Sequence, residues 1–118
     1  MDKKFAEDFA AQWLVAWNAH DLRRILGHYA EDFEMHSPVI TQILGEPSGR
    51  LRGKEAVSNY WAKALQQVPD LKFELQETLL GVDSITLCYT GVRGRRVAEV
   101  FYFGPDKKVI RADAHYGV

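Results

Sequence analysis

Apolar residues recur along this chain with two periods, first near 3.6 and then 2, and the change falls at Pro69. Phe5, Phe9, Trp13, Ala16 and Trp17 stand three or four residues apart and predict the buried stripe of a helix. Asn18-Ala19-His20-Asp21 interrupts that stripe. Asp21 is a good N-cap for a second helix, because its carboxylate can accept from free first-turn amides; Leu22, Ile25, Leu26 and Tyr29 then form that helix's buried face. Phe33, Met35 and Ser37 alternate with Glu34 and His36, the pattern of a short half-buried strand closed by Pro38. The segment 38–53 holds two prolines and three glycines and predicts a long loop, serving as a lid, rim or binding loop. After Gly53, the spacing of Val57, Tyr60, Trp61, Ala64, Leu65 and Val68 predicts a third helix, stopped by Pro69.

Beyond Pro69 the alternation is that of strands. Leu71, Phe73, Leu75, Glu77 and Leu79 alternate with Lys72, Glu74, Gln76 and Thr78. Turns at 81–84, 91–94 and 104–108 then separate strands over 85–90, 95–103 and 109–116. Helices followed by hairpin-linked strands predict an α+β fold, with a curved antiparallel sheet wrapped around the N-terminal helices in one domain spanning 1–118.

Composition narrows the function classes. Fifteen Lys and Arg against sixteen Asp and Glu leave a formal charge of -1, without the basic excess of a nucleic-acid binder. Arg93, Arg95 and Arg96 cluster at an expected hairpin tip and read as a solvated turn. A lone Cys88 excludes an internal disulfide and leaves no thiolate cluster for zinc. Glu7, Asp8 and Gln12 break the apolar run that a signal peptide needs, and no window reaches the roughly 18 apolar residues of a membrane span. The expected setting is cytoplasmic. No metal-ligand spacing, phosphate loop or nucleophile elbow is present, so neither a metal nor a cofactor is expected.

Glu99 is the sharpest chemical feature. It interrupts Val97-Ala98-Glu99-Val100-Phe101-Tyr102-Phe103, the most apolar strand of the chain. A carboxylate desolvated by such neighbours has a raised pKa and can act as an acid or base near neutrality. The alternative places it on the outer sheet face, paired with an arginine or at a dimer interface. Its register has two solutions: a two-residue hairpin tip puts Glu99 opposite Cys88, and a three-residue loop Val92–Gly94 puts it opposite Leu87. Tyr89 is placed to donate a hydrogen bond to a ligand or to pack in the core with its hydroxyl at the rim. His20 and His28 are expected in solvent, and His36 should point away from the Phe33–Met35 face. Arg111, Asp113 and His115 share one face of the last strand and Ile110, Ala112, Ala114 and Tyr116 the other; the apolar set should face inward, leaving the charged row on a dimer surface. Among the aromatics, Trp13, Tyr29, Trp61 and Tyr116 are expected to line a pocket, and Trp17 and Phe73 to pack the core.

The order of these elements, with Trp17-Asn-Ala-His-Asp21-Leu at the first corner, Tyr29-Ala-Glu-Asp-Phe33 entering the first strand and Ser37-Pro38 leaving it, resembles the nuclear transport factor 2-like superfamily. Leu51-Arg-Gly53-Lys-Glu-Ala56, Glu99-Val-Phe101-Tyr-Phe103 and Val109-Ile-Arg-Ala-Asp-Ala-His-Tyr116 extend the likeness to its SnoaL-like and ketosteroid-isomerase-like members. The resemblance implies a cone-shaped, cystatin-like domain whose open end is a pocket, often dimerised through the outer sheet face. It also sets Glu99 where the isomerases keep a protonated carboxylic acid. Two positions depart from that pattern: Ser37 stands in place of the catalytic base and Trp13 in place of the oxyanion-binding tyrosine. The function expected is therefore a pocket for a small apolar molecule, with isomerase, lyase or hydrolase chemistry, Glu99 as acid–base group and hydrogen bonds from Trp13, Ser37 or Tyr89. The alternative is a noncatalytic ligand-binding or dimerisation module.

Overall fold

The computed structural model describes residues 1–118, and its organising element is the first helix, α1 (Lys3–Asn18). Asp2 caps it by accepting from the Phe5 amide at 3.0 Å, so one free first-turn donor is satisfied. Ala6, Phe9, Ala10, Trp13, Ala16 and Trp17 form its buried face. His20, at a positive φ of 56°, reverses the chain into α2 (Leu22–Leu26), which Asp21 caps at the Arg24 amide. This second helix is shorter than the sequence suggests: Tyr29 is not on its face but opens the first strand, β1 (Tyr29–His36), after Gly27 ends the turn.

The segment 38–53, expected as a loop, is not one. Ser37 accepts from the Val39 amide and starts α3 (Pro38–Leu44), with Pro38 in the first turn where its missing N–H costs nothing. Gly45 ends α3 in the left-handed region at φ 74°, and Arg50–Arg52 forms β2 on the edge of the sheet. The apolar Val39, Ile40 and Ile43 carry a helical period that the surrounding prolines and glycines obscure. α4 (Lys54–Gln67) follows and buries Val57, Tyr60 and Trp61.

Six strands form one sheet in the order β2-β1-β6-β5-β4-β3, with β3 Glu74–Leu80, β4 Ser84–Thr90, β5 Arg96–Phe103 and β6 Val109–Tyr116. The expected antiparallel sheet holds with one exception, since β1 runs parallel to β6. A short 3₁₀ turn, Val92–Gly94, joins β4 to β5 and gives the three-residue connection: Glu99 pairs with Leu87. Two irregularities move side chains from their expected faces. Gln76 is the extra residue of a bulge, so Thr78 rather than Leu79 pairs opposite buried Leu87, and Leu79 is exposed. A second irregularity between Tyr102 and Phe103 leaves Val109 buried and turns Ile110 outward, against its expected place beside Ala112 and Ala114.

The sheet curves around α1, and the core lies between them. Phe9 meets Phe101 and Phe103 edge-on, each at 5.1 Å, and Trp13 meets Phe101 edge-on at 5.4 Å. The expected stripe is continuous with a cluster of 24 buried apolar residues. A polar clamp fixes the end of α1 against the sheet: Asn18 Nδ2 donates to the Phe73 carbonyl at 3.0 Å, and the Phe73 amide donates to Asn18 Oδ1 at 2.7 Å. His20 makes a similar 2.8 Å bond to the Leu71 carbonyl, and His28 packs edge-on to Phe9, so neither is the free surface histidine expected. Burial and the nearby Lys108 charge lower the His28 pKa.

Replacing Asn18 removes both bonds of the clamp and leaves a part-buried backbone donor and acceptor unpaired. Asn18→Ala is expected to lower the unfolding free energy by about 2 kcal/mol, with Asn18→Asp intermediate. Urea denaturation checks this through the midpoint at unchanged m value.

Candidate functional site

The open end of the curved sheet is closed on one side by α1, α3 and α4, and a cavity of about 420 Å³ lies between them and the inner faces of β4 and β5. Twenty residues line it, fifteen of them hydrophobic. Trp13, Trp61, Tyr89, Tyr116 and Glu99 are among them, which resolves the faces of Tyr89 and Glu99 that the alternation left open. Trp17 and Phe73, expected to be core only, line it as well. The segment 38–53 contributes Val39, Gln42 and Ile43 through α3.

Glu99 is on the inner face, 4% exposed, opposite Leu87 on β4 and Ala114 on β6. That register sets Tyr89 diagonally across from it, within reach of a long side chain. The Tyr89 hydroxyl donates to Glu99 Oε1 at 2.7 Å. The other carboxyl oxygen has no hydrogen-bond partner in the chain. Burial pushes the Glu99 pKa up to about 7; the bond from Tyr89 works against the shift by favouring the ionised form, and the charge of Asp113 adds to it. Near neutrality this carboxyl is therefore divided between its two protonation states, at the wall of an apolar cavity.

Two of the expected hydrogen-bond donors, Trp13 and Ser37, and the expected lining residue Tyr29 already have partners inside the protein. Trp13 Nε1 donates to the Tyr29 hydroxyl at 3.0 Å, so its N–H is not free for a ligand. Tyr29, expected in the lining, stands behind it, 1% exposed. Ser37 also lies outside the lining: it is buried, its hydroxyl accepts from the Val39 amide, and its Oγ is 3.4 Å from the Tyr116 hydroxyl. Buried polar groups are seldom left unpaired, and a strand-to-helix junction gives the Ser37 hydroxyl a backbone partner at once. The phenols that do reach the cavity are Tyr60 and Tyr116, together with Tyr89. Burial raises all three pKa values and the Glu99 charge adds to each, so they remain protonated donors. Tyr60 is the lining phenol that sequence reasoning missed. Its place beside Trp61 on the helical stripe marked it as buried but not as facing the cavity. The Trp17 indole nitrogen is the one fully buried side-chain N or O atom without a hydrogen-bond partner.

At the mouth are Gly91, Val92, Arg93 and Arg95. The expected solvated turn holds, since both arginines are exposed at the hairpin tip, and both also belong to the lining. The Arg95 guanidinium carbon stands 5.0 Å over the Tyr116 ring, and its Nε donates to the Gly117 carbonyl at 3.3 Å.

The outer face carries the other polar cluster. Arg111 Nε donates to Asp113 Oδ1 at 3.0 Å, and His36, pointing outward as expected, reaches Asp113 at 2.9 Å and Glu34 at 3.0 Å. No group of three His, Cys, Asp or Glu side chains is placed to hold a metal ion. No helix is long and apolar enough to cross a membrane.

A fold of this plan, with a carboxyl on its inner face, defines the class. The family model described as the SnoaL-like domain matches residues 10–115, and the chain belongs to that family. A SnoaL-like protein of unknown function from Burkholderia thailandensis is 57% identical, with a TM-score of 0.96 over 99% of this chain and 98% of that one. Two distant structures share the fold. One is a protein of unknown function with a cystatin-like fold from Methylobium petroleophilum (13% identity, TM-score 0.80, 100% of this chain and 79% of that one). The other is a proposed ketosteroid isomerase from Kribbella flavida (16% identity, TM-score 0.70, 98% and 79%). The comparison with curated proteins finds no match.

The raised pKa of Glu99 has a consequence for stability. The unfolded chain loses this proton near the ordinary value of 4.5, whereas the folded chain holds it to about 7. Between those values the folded state binds more protons, so this group makes stability fall as pH rises, with no further change above about pH 7. The unfolding free energy of the wild type minus that of Glu99→Gln is expected to drop by roughly 3 kcal/mol across that window. Urea denaturation from pH 4.5 to 8 measures it, and a difference independent of pH contradicts the shift.

Proposed function

We propose that this protein transfers a proton to or from a small apolar molecule held in the cavity, in an isomerase- or lyase-type reaction, with Glu99 as the acid–base group. The observation that carries this reading is the buried carboxyl at the cavity wall, its Oε1 held by Tyr89 and its pKa pushed up to about 7. Proton transfer is most efficient when the transferring group titrates near the working pH. The bond from Tyr89 fixes the carboxyl's orientation and leaves the second oxygen to take the proton. Tyr60 and Tyr116 are protonated donors suited to a carbonyl or enolate oxygen, and the apolar wall holds the carbon skeleton. A volume of about 420 Å³ is in the lower part of the range for drug-sized ligands. The distant fold relative described as a proposed ketosteroid isomerase is compatible with carbon-acid chemistry. Its fold carries no information about the substrate here.

A second reading is a noncatalytic ligand-binding module. It is favoured by the internal commitment of Trp13 and Ser37 and by Glu99 being the only carboxyl in the lining. The two readings separate on solvent exchange. A panel of enolisable cyclic ketones and β-keto esters is incubated in deuterium oxide with the protein, and loss of the α-proton is followed by NMR. The catalytic reading expects protein-dependent exchange that falls roughly 10²- to 10⁴-fold in Glu99→Gln. Ligand-induced shifts without any Glu99-dependent exchange favour the binding module.

The outer face of β4–β6 is the proposed surface for homodimerisation. Cys88, Ala98, Val100 and Tyr102 present a part-buried, weakly polar centre there, bordered by the Arg111–Asp113–His36 cluster. Val100→Arg is expected to shift the protein from dimer to monomer in light scattering at micromolar concentration, with the fold retained by circular dichroism. A wild type that is monomeric under those conditions removes this proposal.

A further inference from the structure

We infer that the cavity takes apolar molecules bearing one anionic group, a carboxylate or similar oxyacid, with that group bound at the mouth by Arg95 beside Arg93. This rests on the ligand-pocket reading above and adds the substrate class and its direction of entry.

The charged side chains of the lining are few. Glu99 is buried in the wall, and Arg93 and Arg95 are exposed at the rim. The ion pairs of the chain join Lys4, Arg24, Arg52, Arg111 and His36 to carboxylates; none involves Arg93 or Arg95. Two guanidinium groups thus face the opening of an apolar cavity with no counter-charge. A solvated arginine at a hairpin tip is ordinarily mobile, but Arg95 is held from two sides. Its guanidinium carbon stands over the Tyr116 ring, and its Nε is engaged by the Gly117 carbonyl. The terminal amino groups have no partner, and that edge of a guanidinium fits a carboxylate or sulfonate through two parallel hydrogen bonds. Fixing the group beforehand lowers the entropy lost when an anion binds. Its charge reaches the cavity wall: Arg95 lowers the Tyr116 pKa, against the upward effect of burial.

The strand also sets a direction. Arg95 and Glu99 are four residues apart on the chain entering β5, about 13 Å of extended backbone. A ligand whose anion rests on Arg95 therefore presents its opposite, apolar end toward Glu99. The arrangement keeps a second negative charge away from a carboxyl that is already costly to ionise.

A matched pair of probes tests this: 8-anilinonaphthalene-1-sulfonate and N-phenyl-1-naphthylamine, the same ring system without the acid. Both are titrated by fluorescence into wild type, Arg95→Gln, Arg95→Lys and Ala64→Phe, the last filling the cavity from α4. The sulfonate is expected to bind roughly tenfold or more tightly than the neutral probe at low salt, from one charge-assisted contact. Arg95→Gln should remove most of that preference while changing the neutral probe's affinity by less than about twofold, and Arg95→Lys should restore part of it. Raising the salt concentration should narrow the gap. Equal binding of the two probes to the wild type, or equal weakening of both by Arg95→Gln, overturns the anion-binding mouth and leaves the pocket intact. If Ala64→Phe leaves the binding of both probes unchanged, or neither binds, the ligand-pocket reading falls as well.

Discussion

The hydrogen bond from Tyr89 to Glu99, inside an aromatic shell, is the constraint on which the rest of this structure turns. An ionisable carboxyl at 4% exposure is expensive, and every neighbouring element is arranged around it. The three-residue hairpin connection sets the register that brings Tyr89 within 2.7 Å. Trp13, Phe73 and Tyr89 stack and tilt against one another at 4.7 to 5.7 Å, which holds the tyrosine ring in place. The helix that carries Trp13 is in turn anchored by Asn18 to the chain entering β3. A stable fold would be easier to build with a leucine at position 99. A desolvated carboxyl in a cavity wall is the kind of local cost that marks a working site.

The polar groups divide into those that hold the wall and those that face the cavity. Trp13, Tyr29 and Ser37 belong to the first set, their polar atoms tied to one another or to the backbone. Tyr60, Tyr116, whose hydroxyl also approaches Ser37 Oγ at 3.4 Å, and the free edge of Glu99 belong to the second. From the buried wall to the mouth the charge changes sign, from a carboxyl that resists ionisation to two arginines without counter-ions. That gradient gives the cavity a polarity its mostly hydrophobic lining would not suggest.

Much of this was legible in the sequence, for reasons that can be named. The stripe from Phe5 to Trp17 is a strong periodic signal and landed on the expected face, whereas the interruption of the Val97–Phe103 run marked Glu99 but left its face open. The hairpin length was open between two values, and the left-handed backbone at Arg93 and Gly94 realises the longer one. What stayed hidden depended on features without a period. Ser37 followed by proline was read as the end of a strand, whereas it caps a seven-residue helix. Bulges at Gln76 and near Ile110 each shift a face by one residue and leave little trace in a string of letters. The arginines of the hairpin tip are solvated as their sequence suggests, but that Arg95 also stands over Tyr116 depends on the folded chain.

The central claim is that Glu99 is a desolvated, cavity-facing carboxyl that exchanges its proton near neutral pH. The direct measurement is the titration of its side-chain carboxyl by ¹³C NMR on protein labelled at glutamate, with the resonance assigned by Glu99→Gln and repeated in Tyr89→Phe. The account predicts a midpoint at about 7 in the wild type and a higher one when the Tyr89 hydroxyl is removed. A midpoint near the ordinary 4.5, unmoved by Tyr89→Phe, would contradict it.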